Sequence, residues 1–207
     1  MWAAIRPWLF PVWCIGCGAE NIGLCPTCAA TATPATIHLD RLTVRAAGEY
    51  AGPVRDAVLA LKRGERAFLD PLAALLSRYV AAHGVLVPLR TTRRRAAERG
   101  FDQASELAQR VAGLRCGECA DVLLKRGAAQ RGLGRGERLD ARGRFALRPG
   151  AVVPPRAVLL DDVVTTGATL RDAAGLLTAS GCSVLGAVVV ARTLAGRETP
   201  RGDRRLV

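Results

Sequence analysis

Two adjacent carboxylates and the hydroxyl- and glycine-rich segment after them are the residues of this chain best suited to chemistry. The carboxylates end an apolar run, and apolar residues recur at a helical period from Leu170, so the segment between lies where a helix begins. Free backbone N–H groups and the positive end of a helix dipole suit a phosphate group there. The residues, in order, are Asp161, Asp162, Val163, Val164, Thr165, Thr166, Gly167, Ala168 and Thr169.

The two carboxylates narrow the ligand further, because they would repel a bare phosphate. They fit a ligand that also carries sugar hydroxyls, which donate hydrogen bonds to carboxylates, or a divalent cation. The segment therefore predicts a sugar phosphate bound together with Mg²⁺. The plainer interpretation is an ordinary strand-to-helix turn with an acidic start and a threonine N-cap.

Four cysteines near the amino terminus form a second group that can bind a ligand. Cys14 and Cys17 make one CxxC pair, Cys25 and Cys28 make another, and seven residues separate the pairs. Four thiolates are the tetrahedral set that a closed, structural zinc site prefers. The alternatives are reduced structural thiols or a redox pair, and such a knuckle can also dock a nucleic acid or a partner.

Basic residues supply the third group. A short apolar strand at residues 84–89 is followed by an arginine cluster, in which Arg95 and Arg99 are candidates for an anionic group such as pyrophosphate. Residues 126–144 are glycine-rich and basic, contain Gln130 and Arg138, and are numerous enough to close over an anionic substrate. The alternatives are a solvated face for the arginines and a disordered linker for the long stretch.

The order of elements predicts an α/β protein in which these groups lie at strand ends. Residues 31–37, rich in alanine, threonine and proline, are expected to form a linker. Residues 157–191 make one βαβ unit with charge and glycine after its first strand, where open α/β sheets bind ligands. Strands are expected at residues 42–50, 84–89, 121–124, 157–160 and 183–191, and helices at 52–63, 68–80, 102–114 and 170–181.

Composition limits the function classes. The net charge of +12 suggests a polyanionic partner, but only two of the 30 basic residues are lysines, which is typical of a GC-rich coding sequence, and small anions also use arginine. No apolar stretch reaches the ~20 residues of a membrane span, and no signal peptide is recognisable at the start. Seven cysteines without an export signal favour metal binding over disulfides. We therefore expect a cytoplasmic protein.

Residues 158–170 resemble the 5-phosphoribosyl-1-pyrophosphate (PRPP) motif of type I phosphoribosyltransferases, which is an apolar strand, two acidic residues, two apolar residues and Thr-Thr-Gly-x-Thr. The resemblance implies that Asp161 and Asp162 hold the ribose hydroxyls and that residues 165–169 hold the 5-phosphate. Purine-salvage relatives carry an aspartate where this chain has Thr165. A hypoxanthine or guanine salvage activity is therefore not implied, and the motif contains no other general base.

Over residues 11–192 the chain resembles the ComF family of competence-associated phosphoribosyltransferase-like proteins. Two details depart from the family pattern. The family usually has Val-Pro-Val-Pro at the strand that contains Pro88, whereas this chain has only one of the two prolines, and Asp102 stands where the family usually has asparagine. The shared features are the four-cysteine knuckle, the helix that ends in Leu61-Lys62, the turn Arg99-Gly100-Phe101, Gln130 with Arg138, and the PRPP motif.

The family resemblance implies a fold and a division of the chain. The fold would be an open, mainly parallel sheet of the type I phosphoribosyltransferase kind with helices on both faces, plus a small zinc-ribbon-like knuckle. Residues 1–36 would contain the knuckle and residues 37–207 the main domain. Within the main domain, hood-like helices are expected at about 50–83, a core at about 84–193 and a frayed tail at 194–207.

The family resemblance also implies Mg²⁺-dependent transfer of phosphoribosyl from PRPP to an acceptor that the motif does not identify. Pyrophosphate would be released, with Asp161, Asp162 and Arg99 in catalytic roles, and the protein would be linked to DNA uptake. The alternative is a non-catalytic accessory protein that binds single-stranded DNA and DNA-uptake proteins and only senses PRPP. Aromatic residues make up 4% of the chain, so stacking platforms for single strands are few.

Overall fold

The strands and their order come from a computed structural model, which describes residues 12–20, 22–80, 84–115, 117–126 and 143–193. Five strands form the main sheet, and two short ones form a separate antiparallel ribbon. In chain order the strands are β1 (Ala35–Leu39), β2 (Leu42–Glu49), β3 (Val85–Pro88), β4 (Leu123–Lys125), β5 (Phe145–Leu147), β6 (Arg156–Val164) and β7 (Ser183–Arg192).

Six α-helices and one turn of 3-10 helix, Arg66–Phe68, connect the strands in the described residues. Several helices begin at recognisable caps: the Asp102 side chain accepts a hydrogen bond from the Ser105 amide, as its position before an apolar period predicts. The helices are α1 (Pro26–Ala30), α2 (Gly52–Lys62), α3 (Leu69–Ser77), α4 (Arg93–Arg99), α5 (Gln103–Leu114) and α6 (Ala168–Ala179).

The main sheet has the order β1-β2-β7-β6-β3. β1 and β2 pair antiparallel, and the other three pairings are parallel. β6 lies between β7 and β3, with Leu160 opposite Val188 on one side and Val158 opposite Leu86 on the other. Because both faces of this strand are covered, its residues 157–160 form a continuous apolar run rather than an alternating one.

Two core clusters cover the two faces of the sheet. One cluster joins the sheet to α2, α3, α5 and the cysteine knuckle, and the other joins it to α6 and the β4–β5 ribbon. Helices therefore lie on both faces of an open, mainly parallel sheet, which confirms the predicted fold class. The knuckle shares its core cluster with α2 and α3, and the division at residue 36 stays a prediction.

Two local expectations differ from the structure. Residues 31–37 are only partly a linker, because β1 begins at Ala35 and pairs with β2 as an edge strand. The arginine cluster includes a helix, α4, which begins where Thr92 accepts a hydrogen bond from the Arg95 amide and ends at Gly100, with φ 78°. Both elements are short, and neither has the apolar periodicity that indicates a strand or a helix in sequence.

No helix in the described part of the chain is long and apolar enough to cross a lipid bilayer.

Candidate functional site

A cavity of about 340 Å³ lies where β3 and β6 end. Parallel strands bring the loops that follow them to one edge of the sheet, where open α/β sheets bind ligands. The cavity collects charged side chains from segments that are far apart in sequence. Four are cationic and two are carboxylic: Lys62, Arg95, Arg99, Lys125, Asp161 and Asp162.

The predicted carboxylate pair lies in the last part of β6. The Asp161 side chain accepts a hydrogen bond from the Asp162 amide at 2.8 Å, and the Asp162 side chain accepts one from the Val163 amide at 2.7 Å. Burial and the neighbouring Asp162 carboxylate raise the pKa of Asp161 well above its usual range. The pair is therefore held in place by its own backbone, and a ligand that donates hydroxyl groups or brings a cation would stabilise its ionised form.

Lys62 contacts this pair, a feature that the sequence interpretation missed. Its Nζ lies 3.0 Å from Asp162 Oδ2, and both side chains are partly buried. The plain expectation for a lysine in the last turn of a helix is an interaction with the helix dipole. The sequence signal that could have indicated this contact is the position of Lys62 at the end of a helix that the chain shares with the ComF family pattern. Lys125, at the end of β4, is a second missed cation, and its charge lowers the pKa of Asp161.

The loop between β6 and α6 contains the predicted phosphate cradle. Gly167 is the N-cap of α6, with φ 72° and no side-chain cap hydrogen bond. A Cβ on this residue would lie 2.2 Å from Cδ1 of Leu39, so the close approach of β1 as well as the backbone angle favours glycine. Thr165 and Thr166 are exposed beside it. First-turn amides without a side-chain cap suit an anion.

The remaining predicted members of this segment divide between the cavity and the core. Thr169 lines the cavity, and its Oγ1 accepts a hydrogen bond from Arg144 at 3.4 Å. Val163 and Val164 pack against the two core clusters and position the loop through the strand rather than through their side chains. The Ala168 amide donates to Thr166 Oγ1 at 3.4 Å, which is a weak contact that a ligand could replace.

The arginine cluster separates into residues that face the cavity and residues that do not. Arg95 and Arg99 line it, and their role in binding an anionic group stays a prediction. Arg90 instead lies 3.5 Å from Asp102 and forms an ion pair with Asp121, next to a smaller cavity of about 270 Å³. Arg94 pairs with a glutamate on its own helix. The described arginines of this cluster therefore differ in their surroundings, although their residue type is the same.

Gln130 and Arg138 lie outside the described residues, as do most of the predicted closing stretch at 126–144 and the tail from residue 194. Their roles stay predictions. Cys116 and Cys119 form a third CxxC pair in the sequence; Cys116 also lies outside the described residues, and Cys119 is half-buried. Cys182 is buried in the core.

The four cysteines of the knuckle converge. Their sulfur atoms all lie within 4.8 Å of one another, and Cys17 is the exposed member. The Cys25 amide donates to Cys14 Sγ at 3.3 Å, and the Cys28 amide donates to Cys25 Sγ at 3.4 Å. A Cβ on Gly16 would lie 2.7 Å from Cys28 Sγ, so glycine permits this approach. Four converging thiols with amides aimed at sulfur fit a zinc ion.

The thiols of the knuckle differ in their acidity. Burial raises the pKa of Cys14, but hydrogen bonds from the amides of Cys25, Cys17 and Gly16 outweigh it and lower the pKa to about 6. Burial and the neighbouring thiols raise the pKa of Cys28 to about 12. A cation bound by all four sulfurs must therefore displace protons, which makes its affinity depend on pH.

A relative with a similar sequence supports the ComF resemblance. Competence protein ComFC of Streptococcus pneumoniae (strain ATCC BAA-255 / R6) is 34% identical to this chain over 117 residues. The match covers 56% of this chain and 50% of the relative, so the chain spans half of the curated relative's length. No family model matches the chain. The similarity confirms the resemblance that the motifs indicate.

Two solved structures resemble parts of the fold. Orotate phosphoribosyltransferase from Aeropyrum pernix is 17% identical with a TM-score of 0.40, over 62% of this chain and 59% of that one. An allosteric regulatory enzyme of purine biosynthesis is 19% identical with a TM-score of 0.42, over 58% of this chain and 25% of that one.

Proposed function

We propose that the chain is a PRPP-binding, phosphoribosyltransferase-like protein of the ComF family. It would transfer phosphoribosyl with Mg²⁺ and release pyrophosphate. The observation that carries the proposal is the cavity, whose lining contains the carboxylates Asp161 and Asp162 as well as the arginines Arg95 and Arg99. A ligand that fits both groups carries hydroxyl groups for the carboxylates and a polyanion for the arginines, which is the chemistry of PRPP. The two parts of the lining are called the carboxylate end and the arginine end.

The carboxylate end would hold the ribose. Carboxylates accept hydrogen bonds from sugar hydroxyls, and the uncapped turn at Gly167 offers amides to the 5-phosphate. Lys62 already neutralises part of the charge on Asp162 at 3.0 Å, so the hydroxyls enter a site whose second carboxylate is paired. Ribose hydroxyls and Lys62 would share that carboxylate.

The arginine end would hold the leaving group. When the bond from C1 to pyrophosphate breaks, its electron pair stays on pyrophosphate, and fixed cations stabilise the charge that develops there. Arg95 lies within α4, and Arg99 is the last residue of that helix. Mg²⁺ bound with PRPP would neutralise further negative charge on pyrophosphate. The acceptor's lone pair then forms the new bond at C1, and its proton leaves to solvent, because the motif contains no general base.

A second candidate function rests on the name of the relative and on one surface feature. The relative is named a competence protein. Trp13, half of which is exposed, directly precedes the first cysteine of the knuckle and offers a surface on which a base could stack. In this alternative the knuckle and the basic surface bind single-stranded DNA, and the cavity senses PRPP without turnover.

The proposal is tested by calorimetric titration of PRPP with Mg²⁺ and by an assay for pyrophosphate release with candidate acceptors. Wild type should bind PRPP, and Asp161→Asn/Asp162→Asn should not. Absence of binding in wild type would contradict the proposal. Binding without release for any acceptor, together with DNA affinity that falls with salt and with chelation, would favour the sensing alternative.

A further inference from the structure

The seam between α2 and the start of α5 contains a buried amide, Gln103, that lies in the lining of the cavity. Gln103 is 4% exposed and is one of two buried polar residues in the described part of the chain. Its Nε2 donates to the Leu61 carbonyl at 2.6 Å, and its Oε1 accepts from Arg99 Nη1 at 3.0 Å. A buried amide with both ends satisfied fixes the groups that it contacts.

Each partner of Gln103 leads to one end of the cavity. Arg99 lines the end proposed for pyrophosphate. Leu61 directly precedes Lys62, whose ammonium group lies 3.0 Å from Asp162 at the ribose end. The path therefore runs by hydrogen bonds from the Arg99 guanidinium through the Gln103 amide to the Leu61 carbonyl, continues covalently along the backbone to Lys62, and ends in the ion pair of its ammonium group with Asp162.

We propose that Gln103 is a positioning residue that couples the two ends of the site, so that Arg99 and Lys62 act on one ligand as a unit. The inference rests on the proposed function, because PRPP is the ligand that would reach both ends. The physical cause is preorganisation: long cationic side chains lose rotamer freedom on binding, and a side chain that is already held loses less.

Other contacts hold the same seam together, so removing the amide should not open it. Arg66 lies over the Phe101 ring at 4.7 Å and forms an ion pair with Glu106. The turn after α2 also approaches α4, since a Cβ on Gly64 would lie 3.3 Å from the Arg99 carbonyl oxygen. Gln103 is thus distinguished by what it orients rather than by being the contact that joins these helices.

The test is a double-mutant cycle on PRPP affinity, measured by calorimetry with Mg²⁺. Arg99→Met and Lys62→Met are made singly and together, first with Gln103 present and then with Gln103→Met. The coupling factor is the PRPP affinity of the double variant divided by the affinity expected if the two single losses simply multiplied. With Gln103 present, we expect a coupling factor of about five, because either single substitution already releases the remaining cation from its fixed position. With Gln103→Met the factor should fall to about one.

Two controls separate coupling from general damage. Arg94→Met replaces Arg99→Met in a matched cycle, because Arg94 is on the same helix but pairs with Glu98; its factor should be about one in both backgrounds. Gln103→Glu keeps an acceptor for Arg99 and loses the donor to Leu61, so it should also abolish coupling. If Gln103→Met does not fold, the cycle measured with Gln103→Glu tests the inference in its place.

A factor of one with Gln103 present, or the same factor after its replacement, would overturn the inference while leaving PRPP binding intact. If wild type does not bind PRPP, the proposed function fails. The same cycle is then measured with inorganic pyrophosphate, and a factor of one or the absence of binding overturns the inference as well.

Discussion

The cysteine knuckle and the strand-end cavity gather reactive groups in opposite ways. The four thiols of the knuckle come from residues 14–28, a single short stretch of chain. The charged residues of the cavity come from α2, α4, β4 and β6, and span residues 62–162. The knuckle is therefore assembled by local turns, and the cavity is assembled by the sheet.

This difference determines what each region depends on. The knuckle contributes only a few residues to the core cluster that it shares with α2 and α3, so we expect a metal ion to be needed to hold its four thiols together. The carboxylates of the cavity lie on a strand that is covered on both faces and paired on both sides, so they should stay in place without a ligand. Four predictions test this contrast, in order of decreasing effect.

Removing metal from the knuckle should have the largest effect. We expect a strong chelator to lower the melting temperature by roughly 10 °C, because a structural zinc contributes folding free energy directly. Cys28→Ser should melt at the lower temperature and no longer respond to the chelator. Cys119→Ser, which changes a half-buried cysteine outside the cluster, should keep the response. If the melting temperature of wild type did not respond to the chelator, the knuckle would not depend on a metal, and it would not differ from the cavity in this respect.

Removing both carboxylates should weaken PRPP binding strongly with little change in stability. Asp161→Asn/Asp162→Asn should weaken PRPP binding ~100-fold, because two charge-assisted acceptors are lost. The melting temperature should change little, because losing the ion pair of Asp162 with Lys62 is offset by relief of the ionised Asp161, which burial and the Asp162 carboxylate disfavour. Calorimetry and thermal unfolding check the two parts. A marked loss of stability would mean that the pair is a structural element rather than a preformed ligand site.

At the other end of the cavity a smaller effect is expected. Arg99→Met should weaken PRPP binding about tenfold by removing a cation from the leaving group. Arg94→Met, a matched change on the same helix, should alter affinity less than about twofold, because its ion pair with Glu98 is exposed. Equal losses in the two variants would indicate a diffuse field of positive charge rather than a built site.

The smallest effect expected is a pH dependence. The folded-state pKa of Asp161 is raised, so its carboxyl group ionises only as pH rises above the usual range of an aspartate. PRPP affinity should therefore rise with pH through that raised value and then level off, while the stability gained by Asp161→Asn should grow over the same range. Asp161→Asn also serves as the control, because the phosphates of PRPP titrate equally with both proteins. If wild type and Asp161→Asn showed the same dependence of PRPP affinity on pH, Asp161 would not be the titrating group.

Short-range patterns predicted much of the fold and part of the site. The apolar run before Asp161, the helical period after Leu170 and the N-cap at Asp102 all correspond to observed elements. β1 was missed because an edge strand that is half exposed has little apolar signal. α4 was missed because its helical character depends on its caps and its surface contains mostly charged residues.

By itself, the sequence determined which chemical groups are present and how neighbours along the chain are spaced. The cysteine pairs and the Asp161–Asp162 motif are of this kind, since backbone periods govern spacings of a few residues. Only the tertiary structure decided that Lys62 reaches Asp162 and that Arg90 pairs with Asp121 beside a second cavity. Such contacts depend on the order of strands in the sheet, which the spacing of residues along a single chain does not specify.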